Sequence, residues 1–187
     1  MKASAIRAIA IAILFLGIFT PQPVRAQTRG PSTSEERARA VKLAHELEED
    51  PLAKDAKEHR AWMIRWIIEI PDITVEVCTD YFGTLPKPPK GHSEEIANQM
   101  VLSSAAFMIE HPGKAKDGQA IAFAGLLGAL KAYQAVLKQD SASRWGHLDK
   151  LIEMREQGKL DDYVAETRKK CGRDEEEDPN TLHAQAY

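Results

Sequence analysis

Apolar positions recur at helical spacing through most of this chain and outline six or seven helices. Val41, Ala44 and Leu47, with Ala40 beside them, repeat at the interval that gives one helix face a core to meet. Ser34, ahead of Glu35 and Glu36, reads as the N-cap, and this helix is expected to run to Glu49. Asp50-Pro51 predicts a restart, a capping residue followed by proline at the first helical position. The second helix, Pro51 to Ile70, begins amphipathic and ends in AWMIRWIIEI, apolar nearly all round except at Arg65 and Glu69. A helix apolar on every side is expected at the centre of a bundle. Arg65 and Glu69, four apart, are expected to pair where it meets water.

Beyond Pro71-Asp72 the pattern is ambiguous. Ile73, Val75 and Val77 alternate as in a strand, whereas Ile73, Val77 and Tyr81 share a helical face. No other segment offers a strand partner, so a short helix is predicted over 73–82. Gly83 to His92 is a loop stiffened by three prolines. Ser93 predicts a cap for a helix to Glu110, which His111-Pro112-Gly113 stops, and Asp117 predicts one for a long helix from Gly118 to Lys138. Two shorter helices follow, Arg144 to Glu156 and Leu160 to Cys171, joined at Gly158. With no βαβ alternation, the pattern predicts an all-α, single-domain bundle with antiparallel hairpin packing. Ala120, Ala124, Gly128 and Ala132, with Gly125 and Ala129 beside them, bare one face of the long helix. Ser103 to Ala106 are the expected matching surface for a close approach.

The N-terminus changes how much of the chain counts as domain. Lys2 and Arg7 precede an unbroken apolar run of 12 residues, Ala8 to Phe19, and Val24-Arg25-Ala26 places small residues around a cleavage point. This is the layout of a secretory signal peptide over residues 1–26. Twelve residues rise only about 18 Å, short of the ~30 Å hydrocarbon core, so stable membrane insertion after cleavage is not expected. The remaining divisions are a mobile lead-in at 27–33, the helical domain at 34–171 and a disordered acidic tail at 172–187, where five acids face one arginine.

Charge then excludes one class of partner. Taking Lys2, Arg7 and Arg25 from the 25 basic residues leaves 22 against 28 acids, a net of −6, four of which belong to the tail. A body near −2 has no field to attract nucleic acid. The expected location is exported, in the periplasm or the medium.

Candidate chemistry is sparse. The six histidines, His45, His59, His92, His111, His147 and His183, lie in six segments with no metal-ligand spacing, and neither phosphate-loop nor nucleophile motifs occur. No catalytic residue, metal or cofactor is therefore assigned. Ala129, Tyr133, Val136, Leu137 and Ser141 resemble the second half of a tetratricopeptide repeat over about 13 residues. The pattern departs at Val136 and Ser141 and has no 34-residue companion, so a generic α-hairpin accounts for it equally. Trp62, Trp66, Tyr81 and Phe82 are expected first to pack in the core; the sharper alternative is that part of this set lines an apolar groove for a partner peptide or helix. The expected function is a non-catalytic protein- or peptide-interaction module. The alternative is a small-ligand binder or enzyme whose site gathers Asp55, His59, Arg65 and Glu69 from distant positions.

Cysteine usage makes the sharpest prediction. Cys78 and Cys171 are the only two, and in an oxidising compartment they admit a single intramolecular pairing. Their Cα atoms are expected within about 4.4–6.8 Å.

Overall fold

The structure is a computed structural model and describes residues 29–83 and 91–171. The signal segment, the prolines of the 83–92 loop and the acidic tail lie outside the described residues. Six helices form the body: α1 (Ser34–Glu49), α2 (Ala56–Glu69), α3 (Ser93–Glu110), α4 (Gly118–Gln139), α5 (Gly146–Glu156) and α6 (Leu160–Lys170). Single 3-10 turns occur at Thr79–Phe82, Pro112–Lys114 and Ser141–Ser143, and no strand occurs among the described residues. The all-α bundle expected from periodicity is what the chain adopts.

The centre is the α3–α4 pair, with α1 packed across both. Small residues explain it. A Cβ on Gly125 would fall 2.7 Å from the Met100 carbonyl oxygen, and one on Gly128 would fall 2.7 Å from Glu48 Oε1 and nearer still to Ser103. The bare face of α4 thus meets the Ser103–Ser104 stretch of α3 at a distance no side chain could occupy. By length and composition α4 could also cross a membrane, but half of its apolar window is buried inside this bundle. Tyr133 locks α4 to α5: its hydroxyl donates to Asp149 at 2.8 Å and accepts from the Trp145 amide at 2.9 Å.

The expectations for the second helix and for residues 73–82 change. The helix predicted from Pro51 begins only at Ala56, because residues 51–55 form turns and Asp55 is the capping position. It is also not central: α2 packs chiefly on α1 and α3, and Arg65 lies exposed while Glu69 pairs with Arg29 at 3.2 Å instead. The 73–82 segment is no continuous helix. Residues 73–78 form no regular hydrogen-bonded element, and only Thr79–Phe82 coil into a 3-10 turn. Ile73 is buried and Val75 half-buried along the bundle, but Val77, the third apolar position of the alternation, is exposed.

Residues 29–33 of the lead-in are held rather than trailing. Arg29 pairs with Glu36, and the Ser32 amide and hydroxyl both donate to Asp72, at 2.9 and 2.7 Å. The cap of α1 is Thr33 rather than Ser34: its hydroxyl accepts from the Glu36 amide while Glu36 accepts from the Thr33 amide, a reciprocal capping box. Burial works to raise the pKa of Asp72, but the hydrogen bonds from Ser32 and from Arg37 outweigh it and bring the carboxyl down to about 2.

Candidate functional site

The four aromatics proposed for a groove do not make one. Trp62 and Trp66 stack at 5.7 Å between centroids in the α1–α2–α3 cluster, whereas Tyr81 and Phe82 belong to the cluster around α4, α5 and α6. Trp66, Tyr81 and Phe82 are buried, and Phe82 stacks on Trp145 at 5.8 Å. Trp62 is the half-buried member, with the Arg39 guanidinium 4.0 Å over its ring. These rings fill the two cores.

The four polar candidates are also divided. Asp55 and His59 come within 3.4 Å of each other beside the α1–α2 turn, while Arg65 and Glu69 stand further along α2 in a different groove. That second groove is the feature the face of α2 presents to water. Its apolar lining is Ala61, Ile64 and Ile68, of which Ile68 is 78% exposed. Along its rim stand Lys57, Arg60 and Arg65 from α2, Glu69 at the end of α2, and Glu94 and Glu95 from α3. Arg60 is the residue that sequence reasoning missed. One guanidinium nitrogen donates to the Pro51 carbonyl at 3.0 Å, while Nη1 is buried with no hydrogen-bond partner among the described residues. Burial pushes its pKa below the usual arginine value, opposed by Glu95 and Glu94.

A second polar centre lies where α1, α3 and α4 meet. Glu48 is 7% exposed and accepts from Ser103 Oγ at 2.7 Å and Lys131 Nζ at 3.3 Å. His45 reaches Glu48 at 3.3 Å and Glu110 at 3.0 Å; burial lowers the imidazole pKa, but its two carboxylate partners raise it on balance. Gln99 donates to both the Ala44 carbonyl and Ser103 Oγ. Serine, glutamate and histidine are together here, but the hydroxyl donates to the carboxylate and no imidazole stands beside it, so the arrangement is not that of an activated nucleophile. Its geometry ties three helices.

Cys78 and Cys171 are bonded, with Cα atoms 6.2 Å apart, inside the expected range. The bond fastens the end of α6 to the 73–82 segment. Asp80 brings an oxygen within 4.8 Å of both sulfurs, which are committed to each other. A cysteine pair at bonding distance is consistent with an oxidising compartment. No family model, curated protein or solved structure matches this chain.

Proposed function

We propose that this is an exported, non-catalytic protein that acts through protein–protein contact, with the outer face of α2 as the contact surface. The observation that carries the reading is Ile68, 78% exposed on a helix whose opposite face is packed. One exposed apolar residue is ordinary. Here Lys57, Ala61, Ile64 and Ile68 follow each other at intervals of four, three and four, the seam along which one helix lies on another. Export is supported by the apolar run and small-residue cleavage point at the N-terminus together with the cysteine pair.

The occupant we assign is α2 of a second copy. Three cations and three carboxylates rim the groove, a balance that is complementary to itself under a twofold axis. An antiparallel pair centred between residues 62 and 63 lays Ile64 on Ala61 of the second copy, large against small. It also lays the Lys57 stem over Ile68, one position from Glu69. Arg65 then faces Arg60, the one repulsive pairing in that register.

Sedimentation velocity of the mature chain tests this directly. A dimer is expected at micromolar concentration, and Ala61→Glu, at an exposed position that faces Ile64 of the second copy, is expected to give a monomer with an unchanged melting temperature. Arg65→Glu is expected to tighten the dimer about tenfold, since it turns the repulsive pairing into an attractive one. A wild-type monomer at about 100 μM, weaker than any functional dimer requires, overturns the reading. A photo-crosslink from position 68 to a different exported protein would replace the second copy as occupant.

A further inference from the structure

A cavity of about 210 Å³ opens on the side of the bundle away from the α2 groove, between the first turns of α4, the middle of α3, the 73–82 segment and α6. Its floor is apolar, made by Met100, Ile121, Ala122 and the buried Tyr81. Its rim is charged, and Arg168 dominates it. The Arg168 guanidinium lies flat against Gly118, where a Cβ would fall 2.8 Å from its Cζ, so the absence of a side chain at 118 is what admits it. Half-buried, it forms no ion pair with any carboxylate among the described residues. Two carboxylates of α6 are engaged elsewhere, Glu166 with Lys169 at 2.9 Å and Asp161 with Gln119 at 2.9 Å. Lys116 adds a second cation to the rim, against the single carboxylate of Glu76.

We propose that this cavity binds a small organic carboxylate with a short apolar body, with Arg168 as its anchor. The guanidinium offers the planar fork that matches a carboxylate with two parallel hydrogen bonds, and Lys116 supplies a point charge beside it. The apolar floor takes the hydrocarbon end, and the Ser104 hydroxyl at the wall is turned to the Ile121 carbonyl at 3.3 Å. The volume lies below the ~300–1,000 Å³ of drug-sized sites and, at about 30 Å³ per water-sized group, suits an acid of roughly six heavy atoms or a little more. The Cys78–Cys171 bond gives the site its shape, because it fixes the wall carrying Thr74 and Glu76 to the helix carrying Arg168.

Isothermal titration of the mature, oxidised protein with hexanoate tests the assignment, with acetate and hexylamine as comparison probes. Saturable binding of hexanoate is expected at or below about 1 mM, at least about tenfold tighter than acetate, with none for hexylamine. Arg168→Gln is expected to weaken hexanoate about tenfold or more, and Arg168→Lys to weaken it less, because charge survives while the fork is lost. On the unsubstituted protein, amide NMR shifts on adding hexanoate are expected to centre on Gly118, Ile121 and Ala122, a readout that needs no variant to fold. No saturation by about 10 mM hexanoate, tighter binding of hexylamine, or shifts centred elsewhere would each overturn the proposal.

Discussion

Gly128→Ala is the substitution that most directly interrogates how α3 and α4 are joined. In an isolated helix the change is favourable by about 1 kcal/mol, because glycine carries the larger entropic cost. Here the new Cβ would lie 2.7 Å from Glu48 Oε1 and closer to both side-chain atoms of Ser103. Overpacking a well-filled interface costs about 1–3 kcal/mol. The atom displaced is also the hydroxyl that donates to Glu48 at 2.7 Å, and hydrogen bonds to charged groups contribute about 1.5–3 kcal/mol. The steric and hydrogen-bond losses outweigh the propensity gain, leaving a net destabilisation of about 2–4 kcal/mol. At roughly 4 °C per kcal/mol for a domain of this size, the melting temperature should fall by about 8–16 °C. Thermal denaturation followed by circular dichroism measures it, with Gly146→Ala as the control, since nothing lies within 4 Å of a Cβ there. A double-mutant cycle with Ser103→Ala should reveal coupling above about 1 kcal/mol, the two changes together costing less than their sum. A Gly128→Ala variant as stable as wild type would refute the close-approach account of the α3–α4 pair.

Two further outcomes follow from the covalent and ionic ties. Replacing both Cys78 and Cys171 by serine opens a loop with a sequence separation of 93, for which chain entropy gives about 4–5 kcal/mol and measured disulfides about 2–4; melting with and without reductant should differ in wild type and coincide in the variant. Asp72 is a carboxylate whose folded pKa is depressed to about 2, so its contribution is present above the unfolded value near 3.9 and is lost as pH falls through the folded one. Asp72→Asn should therefore cost about 1 kcal/mol at pH 7 in a solvent-screened site, with the difference from wild type vanishing near pH 2 in urea titrations.

What the sequence made legible was whatever depended on local pattern. The i, i+4 run of small residues in α4 announced a close approach because only a bare backbone permits one, and Gly125 and Gly128 stand where that approach is tightest. The cysteine pair was legible by elimination, since two residues allow one bond. Illegible were the meetings of residues far apart: Arg168 lying on Gly118, Lys131 reaching Glu48, and the half-buried Arg60. No periodicity encodes these, because they are set by how helices stack after each has formed. The extended 73–78 segment misled for a related reason. Only Ile73 and Val75 of its alternation meet the bundle, and that burial needs neither a ladder nor a helical repeat.

The misplacement of α2 follows from reading hydrophobicity where side-chain size decides. Both α2 and α4 are apolar over most of their circumference, yet α4 packs against α1, α3, α5 and α6 while α2 packs chiefly on α1 and α3. Neighbours can crowd round α4 because alanines and glycines occupy much of its surface, so each contact comes close and leaves angular room for the next. On α2 the second half is Trp62, Met63, Ile64, Trp66, Ile67 and Ile68, and such bulk holds every neighbour further out. Two helices then line the inner side, with Met63 and Trp66 buried between them; Ile64 stays half-buried, and among the described residues no helix covers Ile68. An apolar run made of large side chains is thus suited to a helix that is half core and half surface. That division is why the exposed half of α2 is the place to look for a second molecule.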